Sequence, residues 1–273
     1  MVVGYLAKTL EEALEIKANK DVVLYGGGTD LMIDGDEDIS YLYLHQIDEM
    51  RKVVDDGEFI RIGASCTFTE LIENQLTPRI LYDALIEIAA PAIRNFGTIG
   101  GNIGNGSAKA DSVLIFFSTD SKIRVKSVRG ERIVDIKDFY RGNKDLDLAE
   151  DEIIVEVLMP KKNLEGNYYY EKIGARAALA ISRIDFSGII NIVDGKIVHL
   201  ATAIGAVEPV IIRHREIDEL LIGKTIEEAK ELKEEYLNRY DKAINPTRGR
   251  VSAEYRKEVS LNLLRDFLEV NGI

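Results

Sequence analysis

Arg94-Asn95-Phe96-Gly97-Thr98-Ile99-Gly100-Gly101-Asn102-Ile103-Gly104-Asn105-Gly106-Ser107-Ala108-Lys109-Ala110-Asp111 is the stretch on which the reading of this 273-residue chain turns. Its five glycines lie between Gly97 and Gly106 and remove side chains where backbone must come close to something. Thr98, Asn102, Asn105 and Ser107 offer uncharged hydrogen-bonding groups, and such a surface can wrap a phosphate chain with main-chain N–H groups. Asp111 suits a sugar or ribityl hydroxyl better than a phosphate, so the expected ligand is a dinucleotide carrying a polyol. The alternative is that these glycines serve only tight turns that require positive φ.

Upstream, Val22-Val23-Leu24-Tyr25 has the pattern of a short buried strand, broken by Gly26-Gly27-Gly28-Thr29-Asp30 before Leu31-Met32-Ile33. Two glycine loops can clamp one pyrophosphate. No lysine follows Gly28 as in a nucleoside-triphosphate P-loop, and neither loop is a clean GxGxxG opening a long helix, which disfavours a triphosphatase or a Rossmann dehydrogenase.

Around these loops the pattern mixes helix and strand. Thr9 with Glu12, Thr67 with Glu70 and Thr225 with Glu228 have capping-box spacing at the head of helices. Tyr41–Leu44, Glu58–Gly63, Ser121–Val128 and Ile153–Leu158 have strand patterns, and a helix is expected from Pro78 to Ala90. Arg141–Asp151 is highly charged and is expected to be an exposed loop, while Val113–Phe117 is expected to be a short helix that Asp111 could cap. Lys161–Asn167 forms a natural boundary. Beyond it, strands starting at Tyr168 and spanning Ile184–Val193 and Ile197–Val207 are followed by helices, with Asp194-Gly195 as a two-residue hairpin turn. Tyr255, Val259, Leu263 and Phe267 mark the apolar side expected for the last helix. The fold class is α+β, with a first domain over 1–164 and a C-terminal domain of antiparallel sheet and helices over 165–273.

Composition narrows the function classes. Hydrophobic residues make up 46% and charged residues 30%, and the formal net charge of −12 argues against nucleic acid as a partner. Charges from Lys8 onward interrupt the apolar start Met1-Val2-Val3, and no apolar run reaches membrane-spanning length, so a cytoplasmic location away from membranes is expected. The single cysteine, Cys66, rules out an internal disulfide or an iron–sulfur cluster held by this chain's own thiolates; it is expected to be a small buried residue or a contact near a cofactor. His45, His199 and His214 lack metal-ligand spacing, so no metal site and no catalytic acid–base residue is expected.

Tyr25-Gly26-Gly27-Gly28-Thr29-Asp30-Leu31, then Pro91-Ala92-Ile93-Arg94-Asn95-Phe96-Gly97-Thr98-Ile99-Gly100-Gly101-Asn102, then Asp111 resemble the FAD-binding medium subunit of the molybdenum hydroxylases. That family includes the flavin subunits of xanthine, nicotinate and carbon monoxide dehydrogenases. The resemblance continues through Glu152-Ile153-Ile154, Lys172-Ile173-Gly174-Ala175-Arg176, Ala203-Ile204-Gly205-Ala206-Val207 and Ser252-Ala253-Glu254-Tyr255-Arg256. It implies a PCMH-type FAD-binding domain whose two α+β lobes clamp non-covalent FAD. Leu24, Tyr25, Gly26, Gly27, Gly28, Thr29, Asp30 and Leu31 would line the pyrophosphate and ribityl part, with Thr98, Gly100, Gly101 and Asn102 closing over it. Asp111 would take flavin-side hydroxyls, Ile153 and Ile154 would pack near the adenine or ring system, and Lys172 would place a positive charge near the flavin unless it is only an exposed strand lysine.

The resemblance further implies a molybdopterin-binding large subunit and a small subunit with two [2Fe-2S] clusters as partners. Electrons would pass from those clusters through FAD to an acceptor such as NAD+. Lys109, where many members carry proline, and the added glycines Gly104 and Gly106 depart from the family pattern and suggest a more flexible loop. A stand-alone FAD-dependent oxidase of the same fold and a cofactor-free scaffold relative are the alternatives.

Overall fold

The structure is a computed structural model that describes residues 3–33 and 38–273; Met1 and Val2, part of the apolar start noted above, lie outside the described residues. The chain forms two compact units that are not consecutive in sequence. The first comprises Met1–Pro78, Ile88–Gly106 and Ser121–Met159; the second comprises Arg79–Glu87, Ser107–Asp120 and Pro160–Ile273.

Among the described residues the first unit holds three sheets, one of them only a two-stranded pair. Strands β1 (Gly4–Leu6), β2 (Val23–Tyr25) and β3 (Tyr41–Tyr43) form a parallel sheet in the order β1-β3-β2. Three residues per strand are too few to show a period, so its parallel pairing could not be seen in the sequence. The helix Leu10–Asn19 buries Leu10, Ala13 and Leu14; Thr9 Oγ1 accepts from Glu12 N, and Glu12 reaches back to Lys8 N rather than to Thr9 N.

Strands β4 (Val53–Asp55), β5 (Phe59–Gly63), β6 (Lys122–Ser127) and β7 (Gly130–Asp135), the short pair β8 (Tyr140–Gly142) and β9 (Asp145–Leu146), and β10 (Ile153–Pro160) complete this unit. The larger sheet runs β4-β5-β10-β6-β7. Every residue of β10 is buried, as its central place demands, including Glu156, which takes Arg61 and Arg124 as charge partners. The expected loop at Arg141–Asp151 is instead partly a hairpin, because β8 and β9 pair antiparallel.

The second unit is built on an antiparallel sheet of β11 (Asn167–Ile173), β12 (Ile184–Val193) and β13 (Lys196–Gly205). Asp194 at φ 51° and Gly195 at φ 75° make the tight turn expected between β12 and β13. Strand alternation gives this sheet two unlike faces. Phe186 and Ile190 point into an apolar core shared with the helices Ile226–Ala243 and Ala253–Val270, where the Phe186 and Phe267 rings lie 5.7 Å apart. On the other face Ser187 hydrogen bonds to Ser118 at 2.7 Å, on the helix Asp111–Ser118.

Two helical expectations need correction. The last helix buries Arg256, Ser260, Leu263, Leu264, Phe267 and Leu268, while Tyr255 is exposed. Four-residue steps overshoot a 3.6-residue turn by about 40° each, so a row drawn back from Phe267 has left the buried face by Tyr255. The helix Asp111–Ser118 is capped at Ala110, with Asp111 inside its first turn and buried, not at the cap.

Candidate functional site

The two glycine loops meet backbone to backbone in the first unit. A Cβ on Gly27 would lie 1.7 Å from Phe96 O, one on Gly26 2.7 Å from Thr98 Oγ1, and one on Gly100 2.8 Å from Ala64 O. Gly28 sits at φ +71° with the Tyr25 phenol directly over it. These contacts leave a groove of about 370 Å³, within the usual size range for small-molecule sites.

Of the sequence-nominated residues, Leu24, Gly26, Gly28, Thr29, Asp30, Leu31, Thr98, Gly100, Gly101, Asn102, Ile153 and Ile154 line this groove. Tyr25 and Gly27 are not in the lining; they support it, Tyr25 by packing on Tyr41 and Tyr43 and Gly27 by its contact with Phe96. Leu148, Phe68 and Met50 also line it and were not anticipated. Leu148 was hidden in a charged segment, and Phe68 and Met50 arrive from local elements that carry no ligand signature.

The loops differ in what their amides can do. Among the described residues, none of the N–H groups from Gly26 to Leu31 has a protein acceptor. In the second loop Ile99 N donates to Cys66 O at 3.0 Å, Gly100 N to Ala64 O at 2.7 Å, Gly101 N to Thr98 Oγ1 at 3.1 Å and Asn102 N to Thr98 O at 2.9 Å. Within the central stretch the amides of Ile99 to Asn102 are therefore engaged in the protein itself, whereas Thr98 N, at the groove, is not. Those four amides hold the short helix Ile99–Gly104 in place, while Thr98 N and the amides of Gly26–Leu31 have no protein acceptor among the described residues.

Gly104 and Gly106 are not slack. Gly104 is in the helix, and Gly106, at φ +63°, receives the β8–β9 turn, with Lys144 N donating to Gly106 O at 3.0 Å. Cys66 is buried outside the groove lining, and burial pushes its thiol up to about 12. His214 faces Glu216, and burial lowers the pKa of His199; among the described residues no three His, Cys, Asp or Glu side chains gather as a metal site would require.

Asp111 and Lys172 lie in the second unit and bond to each other. Lys172 Nζ donates to Asp111 Oδ2 at 2.9 Å and to Glu87 O at 3.2 Å, and Ser182 Oγ donates to Asp111 Oδ1 at 2.6 Å. The lysine side chain is 5% exposed, which removes the reading of an exposed strand lysine. Directly across the ladder from Lys172 is Asp185, fully buried, with neither carboxylate oxygen bonded to a partner among the described residues. Its pKa is raised, first by burial and then by Asp111.

A groove lined by residues with free backbone N–H groups, by glycines and by Ile153 and Ile154 fits a flavin nucleotide, which has both a diphosphate and an apolar ring. Comparison with known proteins gives the same class. The family described as the FAD binding domain in molybdopterin dehydrogenase matches residues 2–162, and the CO dehydrogenase flavoprotein C-terminal domain matches residues 168–270. The chain belongs to this family of FAD-binding subunits of molybdopterin-dependent dehydrogenases.

The chain is 36% identical over 219 residues to the xanthine dehydrogenase FAD-binding subunit of Escherichia coli O157:H7, covering 76% of this chain and 74% of the relative. It is 30% identical over 271 residues to the nicotinate dehydrogenase FAD-subunit of Eubacterium barkeri, covering 93% and 90%. In fold it is similar to a chain of the reconstituted CO dehydrogenase from Oligotropha carboxidovorans, with a TM-score of 0.88, 22% identity and coverage of 97% and 96%. No helix among the described residues is long and apolar enough to cross a membrane.

Proposed function

We propose that this chain binds FAD in the groove of its first unit and passes electrons from iron–sulfur clusters on a partner subunit to an acceptor such as NAD+. The row of unpaired N–H groups from Gly26 to Leu31 along the groove is the observation that carries this reading. These donors would hold the diphosphate, as oriented amides hold anions elsewhere. Gly26 and Gly27 would keep the two loops close enough to shape the groove, with the Tyr25 phenol packed against Gly28. Thr98, Gly101 and Asn102 would close it, and Leu24, Ile153 and Ile154 would supply apolar walls. Bound there, FAD supplies the redox chemistry, and the chain's own share is to bind it, orient it and exclude water.

The assignments of Asp111 and Lys172 to the flavin rest on the family resemblance. A flavin potential that did not move in Lys172→Met would remove Lys172 from that role. The same resemblance supports a molybdopterin-binding large subunit and a two-cluster small subunit as partners, while a cytoplasmic location rests on the lack of a membrane-length apolar run and a functional boundary near residue 164 on the Lys161–Asn167 segment. FAD binding is tested by titrating the apo chain with FAD and, separately, with riboflavin, which lacks the diphosphate. One FAD per chain, bound far more tightly than riboflavin, is expected; equal affinity for the two would refute the reading. The partner assignment is tested by which polypeptides co-purify with the chain.

A further inference from the structure

We propose that Arg132 is a positioning residue that holds the segment Asp147–Glu152 against the sheet and thereby sets Leu148 as one wall of the groove. Arg132 stands on the edge strand β7 and engages both ends of this segment. Its Nε and Nη2 donate to the two carboxylate oxygens of Glu152 at 2.8 Å each, a bidentate fork. Nη2 also donates to Asp147 O at 2.6 Å, and Nη1 pairs with the Asp147 carboxylate.

Other contacts close the segment on itself and fasten its flanks. Glu152 Oε2 accepts from Ala149 N at 2.8 Å, so the carboxylate that Arg132 grips also holds the residue next to Leu148. Arg129 adds a second fork to Asp151, at 2.8 and 2.6 Å, and Arg141 joins Arg132 on Asp147. On the far side Tyr140 donates to Ile103 O at 2.9 Å, which ties the preceding hairpin to the helix Ile99–Gly104. Leu148 is the one side chain of this charged segment that lines the groove. The polar bonds that hold its neighbours Asp147 and Glu152 come from the Arg132 guanidinium. The density of charge that made Arg141–Asp151 read as an exposed loop is thus the device that immobilises it.

The consequence for FAD rests on the function proposed above. If Arg132 acts through Leu148, the effects of removing each on FAD binding cannot add, because the second substitution removes what the first has already displaced. The experiment compares Arg132→Met, Leu148→Ala and the double variant by FAD titration of the apo chain. It also measures amide hydrogen exchange of residues 147–151 in the absence of FAD. Arg132→Met and Leu148→Ala are each expected to weaken FAD binding about tenfold, and the double variant is expected to be no weaker than the worse single. Arg132→Met should also speed exchange at Leu148 and Ala149 while leaving β6 and β10 protected.

Arg132→Lys, which keeps the charge but loses the fork, should fall between wild type and methionine in both measurements; it also serves if the methionine variant folds poorly. Fully additive effects on FAD binding, or unchanged exchange at 147–151, would overturn the proposal. If the wild-type chain fails to bind FAD, the function proposed above falls, and the exchange measurement alone still decides whether Arg132 holds the segment.

Discussion

Gly27→Ala is the sharpest probe of the groove. The added methyl carbon would lie 1.7 Å from Phe96 O and 2.4 Å from Phe96 C, and both obstacles are main chain, so no rotamer change relieves them. Bringing the nearer contact to the 3.0 Å that real Cβ atoms respect requires 3.0 − 1.7 = 1.3 Å of separation between the loops. Overpacking of this kind costs about 1–3 kcal/mol in stability. A shift of that size also carries the free amides of Gly26–Leu31 away from the facing wall. Losing one hydrogen bond to a charged group, worth about 1.5–3 kcal/mol, corresponds to about 10- to 100-fold in affinity. The assay is titration of apo wild type and variant with FAD and riboflavin, with circular dichroism to show that the variant is folded. The effect should fall on FAD much more than on riboflavin. Gly57→Ala, at φ +96° with no neighbour within 4 Å, is the control: it strains the backbone by about 1 kcal/mol but leaves FAD binding alone. Wild-type FAD affinity in a folded Gly27→Ala chain would refute the claim that close approach of the two loops builds the site.

The buried groups give three further expectations. Asp185 has a raised pKa in the folded chain, so its contribution to stability is complete below the unfolded value near about 3.9 and is lost as pH rises toward the folded value. Asp185→Asn, uncharged throughout, should therefore gain on wild type as pH rises above about 4, read from urea midpoints at several pH values; parallel profiles would contradict this. Cys66, pushed up to about 12 by burial, should stay unreactive toward thiol reagents at pH 8 and label only at the rate of unfolding, whereas rapid labelling of the native chain would place it at the surface. Arg213→Met leaves Asp218 buried without its charge partner, though Thr202, Tyr236 and Tyr240 still donate to it. A loss of about 3 kcal/mol in a denaturant titration is expected, at the low end for a broken buried pair, and a loss below about 1 kcal/mol would show that the hydroxyls suffice.

Much of the local structure could be read before folding because it depends on neighbours in sequence. Thr67 with Glu70 and Thr225 with Glu228 form complete capping boxes, and Asp194-Gly195 turns the β12–β13 hairpin, since a cap or a two-residue turn needs only a few adjacent side chains and dihedrals. The parallel sheet of β1, β2 and β3 could not be read, because three-residue strands show no periodicity and their pairing joins distant segments. Nor could the grouping of the helices Arg79–Ile86 and Asp111–Ser118 with the C-terminal strands, which depends on side-chain packing across long stretches of chain. Leu148 was concealed by the charges around it, and only the folded positions of Arg132 and Glu152 explain why an acidic segment lies fixed along a groove.

In its sequence alone the chain shows two glycine-rich runs that leave backbone bare where a nucleotide can approach, and the motifs around them resemble the FAD-binding medium subunits. Which of those runs still has amides to offer was decided only in three dimensions. The amides of Ile99, Gly100 and Gly101 are taken by Cys66, Ala64 and Thr98, and those of Gly26 to Leu31 remain open. The same holds for Lys172, whose ammonium donates to Asp111 on the adjoining helix and which stands opposite buried Asp185 in the β11–β12 ladder. A hydrogen bond or an ion pair is a property of two groups, and when its partners are far apart in the chain only the fold can say which two they are.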